Sequence, residues 1–224
     1  MTLRASLLAC IAAAAAVLDP LGASADDAIE FRDRAVSDYF DEASWDDCHV
    51  RSSVRICLRQ TSEPGAREAL LFMDLSAPAD TVLALLTDTD RYCGWFDNCL
   101  DVESHDRRDD GGLVFSARVS SPFPYRDRVV TSQTHVALGS DDTIYVIGQT
   151  PRPLPETRLT GFRMPLSDGV WRIAPRAEGG SELAFYTIVN PGGGVPIAVT
   201  GPVLRGTTYQ TFLNIRALLE ADGE

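Results

Sequence analysis

The chain has 224 residues, a net charge of −12 and no lysine, all 20 of its basic residues being arginine. That length suits one domain with a real core, or at most two small ones. An acidic chain without a basic cluster makes a poor nucleic-acid binder. It also has no electrostatic pull toward anionic lipid, so any membrane contact must use apolar side chains.

The first segment reads as a leader. Arg4 precedes an apolar run from Ala5 to Leu18, interrupted by Ser6 and Cys10, and a Pro20/Gly22 turn leads to Ala23-Ser24-Ala25. A basic start, a short apolar stretch and an A-x-A site are the layout of a secretory signal peptide. Residues 1–25 are therefore expected to be removed, residues 26–224 to form a single domain, and the location to be periplasmic or secreted. The run is too short to span a bilayer as a helix. An uncleaved anchor is the alternative; a lipoprotein reading of Leu7-Leu8-Ala9-Cys10 is weaker, because the cysteine precedes most of the apolar run.

Ile29 to Ala43 has apolar residues (Ile29, Ala35 or Val36, Tyr39, Phe40) spaced for one face of a helix. A hairpin follows, with arms at 46–51 and 54–60 around Ser52-Ser53. A two-residue turn sets Cys48 opposite Cys57 at a non-hydrogen-bonded site, where Cα atoms approach to about 4.5 Å, within disulfide reach. Glu63-Pro64-Gly65 makes a turn, and Arg67–Leu75 a long apolar strand. Ser76 or Ala77 is expected to cap a helix with Pro78 in its first turn. Val82, Leu85 and Leu86 are its buried face, and it ends before Cys93.

Four cysteines remain beyond the leader, an even count that favours two disulfides in an exported chain. Of the three possible pairings, Cys48–Cys57 and Cys93–Cys99 are favoured. The second brackets the loop Gly94 to Asn98 and would fix Trp95. The absence of C-x-x-C spacing argues against zinc, and no cofactor or metal is expected. Candidate strands follow at 99–106, 112–120, 125–137, 142–149, 158–164, 169–174 and 181–189, with Asp/Gly turns at 109–112 and 139–142. Pro151 to Pro155 reads as an extended connector. A helix from about Val195 to Ala221 buries Ile197, Leu204, Phe212, Ile215 and Leu219. The order of elements makes an α+β domain.

Two segments stand out. Ser121-Pro122-Phe123-Pro124-Tyr125 is a stiff loop with an apolar tip, followed by Arg126-Asp127-Arg128. On a strand, Arg126 and Arg128 would share one side and Asp127 take the other, a pattern suited to cross-strand pairing. Asn190-Pro191 leads into Gly192-Gly193-Gly194, which gives backbone freedom before the last helix. A strand-rich cup, an apolar loop and a hinged helix suggest a container for a hydrophobic molecule.

From about residue 40 onward the chain resembles a START lipid-transfer domain, of the wider helix-grip (Bet v 1-like) class. The resemblance is carried by Trp45, the Pro78-to-Thr89 helix with Arg91 and Trp95, Pro124 with Arg126-Asp127, and Gly169, Trp171 and Pro175. Leu183, Tyr186, Asn190-Pro191-Gly192-Gly193 and Val195-Pro196 complete it. Asn190 departs from the family's usual acidic residue. The resemblance implies a curved antiparallel sheet around the long C-terminal helix, a tunnel for one lipid, and an entrance at the 120–125 loop. Some sterol-binding members pair an acid with an arginine inside the tunnel. Here Arg118 and the opposite Ser132, Gln133 and Thr134 do not supply that pair, so Arg118 needs an acidic head group or a carboxylate from another strand.

The candidate cavity and gate residues are Phe123, Arg118, Trp95, Tyr145, Trp171, Tyr186, Val199, Leu204, Thr208 and Phe212, with Gly192, Gly193 and Gly194 as hinge and Arg126 and Asp127 as structural motif. The expected ligand is a phospholipid, fatty acid or sterol-like molecule. A monomer with transient membrane contact is expected. Catalytic signatures are missing: His49, His105 and His135 are isolated, and there is no G-x-S-x-G, H-E-x-x-H or P-loop. Two other readings are kept, an aromatase/cyclase-type helix-grip enzyme and a lipid-dependent interaction module of the cell envelope.

Overall fold

The computed structural model describes residues 25–45, 47–105 and 112–221. The expected leader, except Ala25, and residues 109–111 of the turn expected at 109–112 lie outside them. One large sheet dominates. In chain order the strands are β1 (Glu30–Phe31), β2 (Arg34–Ala35), β3 (Asp47–Arg51), β4 (Val54–Gln60), β5 (Arg67–Leu75), β6 (Cys99–Ser104), β7 (Leu113–Val119) and β8 (Arg128–Leu138). Then come β9 (Ile144–Gln149), β10 (Phe162–Arg163), β11 (Leu166–Pro175) and β12 (Ser181–Asn190). The helices are α1 (Ala79–Leu86), α2 (Tyr92–Trp95) and α3 (Ile197–Ala221).

The sheet runs β3-β4-β5-β12-β11-β9-β8-β7-β6, with β10 added in parallel to β8. All other pairings are antiparallel. Its concave face grips α3, which packs on β4, β5 and α2. This is the α+β helix-grip architecture expected from the sequence.

Strand alternation divides the molecule into two cores. Ala69, Leu71, Met73 and Leu75 of β5 and Leu183 of β12 share a core with Phe212, Ile215 and Leu219 of α3, while Leu70 and Phe72 face the convex side. Both faces of the central strands are covered, which is why β5 reads as a continuous apolar run and not as an alternation. The convex cover is the N-terminal segment, where the sequence pattern misleads. Residues 29–43 do not form a helix. Arg32 and Asp33 take positive φ (50° and 64°) and turn β1 back onto β2, and 3-10 turns follow at Val36–Phe40 and Glu42–Ser44. The apolar spacing is satisfied another way: Phe31, Tyr39 and Trp45 all pack on Tyr186. Arg32 pins the turn through Glu63 (2.6 Å) and Asp168 (2.7 Å).

Both expected disulfides are present. Cys48 and Cys57 face each other across β3 and β4 with Cα atoms 4.0 Å apart. Ser52 and Ser53 both adopt positive φ (47° and 60°) in the two-residue turn, the geometry that matches strand twist. Cys93–Cys99 ties α2 to β6. Three details of the expected elements are corrected. Pro78 itself is the N-cap of α1, with no side-chain cap from Ser76 or Ala77. The expected strand at 158–164 shrinks to Phe162–Arg163 beside Arg128–Val129. Arg126 and Asp127 precede β8 and do not lie in it.

Candidate functional site

Between the concave face and α3 lie two adjoining chambers of about 140 and 120 Å³. Phe96, Val130, Ser167, Val189, Leu204 and Thr207 line both, so the chambers meet at these side chains as two compartments of a tunnel-like space. The outer chamber is bounded by Pro122 and Tyr125 of the 120–125 loop, Arg128, Pro191, Val195, Val199 and Val203. Tyr92, Trp95, Phe115, Trp171, Phe185 and Thr208 wall the inner one. A surface groove between the 120–125 loop and α3, lined by Ser120, Ser121, Pro122, Val203 and Thr207, adjoins the outer chamber.

Strand parity decides which predicted residues reach the tunnel. Trp95 and Trp171 do, with ring centroids 5.9 Å apart and edge to face. Val199, Leu204 and Thr208 of α3 do as well. Phe212 lies one layer deeper, stacked behind Trp171 at 5.8 Å. Three residues are corrected. On β9, Val146 and Gly148 face the tunnel, so Tyr145 points to the convex side against Phe40. On β12, Phe185, Thr187 and Val189 face in, so Tyr186 points out, with its hydroxyl donating to Glu68 (3.1 Å). On β7, Phe115, Ala117 and Val119 face in, and Arg118 lies on the other face.

Arg118 finds its carboxylate there: Nη1 is 3.8 Å from Asp127 of the Arg-Asp-Arg motif. Arg128, one residue on, turns inward and is only 5% exposed. Its Nε donates to Pro191 O (3.0 Å) and its Nη2 to Gly192 O (3.4 Å), while Nη1 donates to Arg126 O. The guanidinium also sits 5.3 Å from the centre of the Phe162 ring. The Arg-Asp-Arg and glycine segments, more than sixty residues apart, are thus joined through one side chain. Burial lowers the Arg128 pKa, and it raises that of the Tyr92 phenol on the inner wall.

The glycine segment is a packed joint at one end and open at the other. Gly192, Gly193 and Gly194 have φ of 58°, 60° and 72°, a left-handed run that disfavours any side chain. A Cβ on Gly192 would lie 2.6 Å from the Phe162 ring, whereas one on Gly194 would meet nothing within 4 Å. Asn190 sets the joint by accepting from Gly192 N–H (2.9 Å) and donating to Pro64 O (3.0 Å). A carboxylate could do only the first, which gives the amide at this position a physical role. Beyond the joint, Pro202 lies within α3, where it lacks the N–H that would bond the preceding turn.

On the 120–125 loop Phe123 is 96% exposed, and Ile197, expected on the buried face of the last helix, is exposed, as is Val203, which borders the outer chamber and the surface groove. The tunnel's polar lining is mostly hydroxyl. Thr208 donates to Leu204 O (2.7 Å), Thr187 to Asp168 O (2.9 Å) and Thr134 to Leu113 O (3.2 Å). The Asp168 carboxylate is held by Arg32 and by Thr150 N–H (2.7 Å).

A family model described as polyketide cyclase / dehydrase and lipid transport matches residues 75–214. An uncharacterized protein of Pseudomonas aeruginosa is 22% identical over 148 residues, covering 66% of this chain and 72% of that protein. Among solved structures, a STAR-related lipid transfer protein fragment from Xanthomonas axonopodis superposes with a TM-score of 0.70 at 22% identity, over 79% of this chain and 98% of that one. Human StAR-related lipid transfer protein 5 gives 0.74 at 16% identity, covering 84% and 92%. The Zhui aromatase/cyclase of Streptomyces sp. R1128 gives 0.51 at 16% identity, covering 71% and 96%. At these identities the structural likeness is one of fold.

Proposed function

The chain belongs to the polyketide cyclase / dehydrase and lipid transport family, and from that membership and its tunnel we propose that it binds one hydrophobic ligand and carries it across an aqueous compartment outside the cytoplasm. The observation that carries this reading is the pair of adjoining, mainly apolar chambers between sheet and α3, with a glycine joint on one side of the outer one and the Phe123 loop on the other. Each CH₂ transferred from water into such a space contributes about 0.8 kcal/mol. Trp95, Trp171, Val199, Leu204 and Thr208 line the ligand's path, and Phe212 supports the inner wall. Motion about Gly194 and the first turns of α3, ahead of Pro202, opens the mouth; lid motion of this kind sets exchange rates.

Phe123, Ile197 and Val203 touch the membrane during exchange, the apolar contact that a chain of charge −12 requires. The protein acts as a monomer. Residues 1–25 direct export, consistent with the two disulfides, and are removed. The test is transfer of a fluorescent lipid between donor and acceptor vesicles. The reading requires a rate that rises with protein concentration, and an unchanged spontaneous rate overturns it. The aromatase/cyclase reading has the likeness to the Streptomyces enzyme in its favour. Turnover of a poly-β-keto substrate by the purified protein would replace the transfer reading with that one.

A further inference from the structure

We propose that Arg128 is an anion-recognition residue at the tunnel mouth, and that the ligand is a single-chain amphiphile with an anionic end, a carboxylate or phosphate. This rests on the tunnel being a ligand site. Three observations carry it.

The first is an uncompensated cation. Arg128 is 5% exposed and is the one charged side chain lining the outer chamber. Among the described residues no carboxylate forms an ion pair with it; its acceptors are three neutral carbonyls. A buried charge without a counter-charge is costly. The nearest motif carboxylate, Asp127, faces the other side of the sheet toward Arg118.

The second is unused bonding capacity. A guanidinium has five N–H donors in a planar fork suited to a carboxylate or phosphate. Three are spent on Pro191 O, Gly192 O and Arg126 O, which leaves two without a protein acceptor among the described residues. The cation–π contact with Phe162 offsets part of the charge and holds the fork at the mouth.

The third is size. An apolar cavity of about 150 Å³ accommodates benzene, six carbons. Chambers of about 140 and 120 Å³ therefore suit one chain on the order of ten carbons. The two chambers as they stand are too small for both chains of a two-chain lipid. A chain laid along it, with its end in the outer chamber, brings its head group to Arg128.

The experiment compares dodecanoate, dodecyl phosphate and methyl dodecanoate binding to the wild type, Arg128→Gln and Arg128→Lys, with inorganic phosphate as a competitor. The wild type is expected to prefer either anion over the ester by about 10- to 100-fold, the range for a charge-assisted pair in a dry site. Arg128→Gln brings the anion-to-ester ratio to near one, and Arg128→Lys retains part of the preference. Inorganic phosphate competes with the anions but not with the ester. Equal wild-type affinity for anion and ester overturns the proposal while leaving the tunnel reading intact. Failure of all three chains to bind overturns the tunnel reading itself. The wild-type ratio needs no variant, so poor folding of Arg128→Gln does not block the test.

Discussion

Val130 sits at the junction of the two chambers, buried on β8 and lining both. Replacing it with phenylalanine puts a ring where the chain must pass and closes off the inner chamber of about 120 Å³. On the benzene scale that chamber holds about five carbons. At about 0.8 kcal/mol per CH₂ the loss is about 4 kcal/mol, or on the order of a thousandfold in affinity. The assay is a chain-length series of alkyl ligands, two carbons at a time, displacing a fluorescent probe. Wild-type affinity should rise roughly fourfold per CH₂ until the chain has on the order of ten carbons. In Val130→Phe the rise should stop at about half that length. The added ring costs about 1–3 kcal/mol if it overpacks, which thermal unfolding measures separately. An identical slope and plateau in the folded variant would refute the idea that the ligand threads both chambers.

Other substitutions test the mouth and the frame. Gly192→Ala meets Phe162 and a left-handed φ together, and should cost about 2–5 kcal/mol in chemical denaturation. Gly194→Ala meets the φ strain alone, and about 1–2 kcal/mol is expected; equal losses would show that Gly192 is not a packed joint. Phe123→Ser should weaken vesicle binding on the order of 10- to 100-fold, the loss of one buried phenyl group, with no change in unfolding because the ring is exposed in the free protein. Replacing Cys48 and Cys57 with serine opens a loop with a sequence separation of 9, and on loop-entropy grounds should cost about 2–3 kcal/mol.

Much of the frame was legible because local rules agreed with the fold. Arg67–Leu75 matches its strand residue for residue, and the Cys48–Cys57 pair follows from counting outward from Ser52-Ser53. The face of each side chain was harder to read. On Leu113–Val119 the alternation of Phe115 and Ala117 with Ser116 and Arg118 sets Arg118 outward, and its charge is met there by Asp127. On β12 both faces are apolar, so the sequence gives Tyr186 no side; the convex cover decides it. That cover is not legible as a turn, since Arg32 carries no left-handed signal and Asp33 a much weaker one than glycine. The Arg128 contact with Pro191 and Gly192 joins positions with no local relation, so only the folded chain brings them together.

Native mass spectrometry of the protein, purified without detergent from the cells that make it, tests the central claim most directly. The account predicts a protein–ligand species whose added mass is one single-chain amphiphile, present at one per chain and lost in Val130→Phe. A wild-type spectrum of bare protein, unchanged after incubation with dodecanoate, would contradict it.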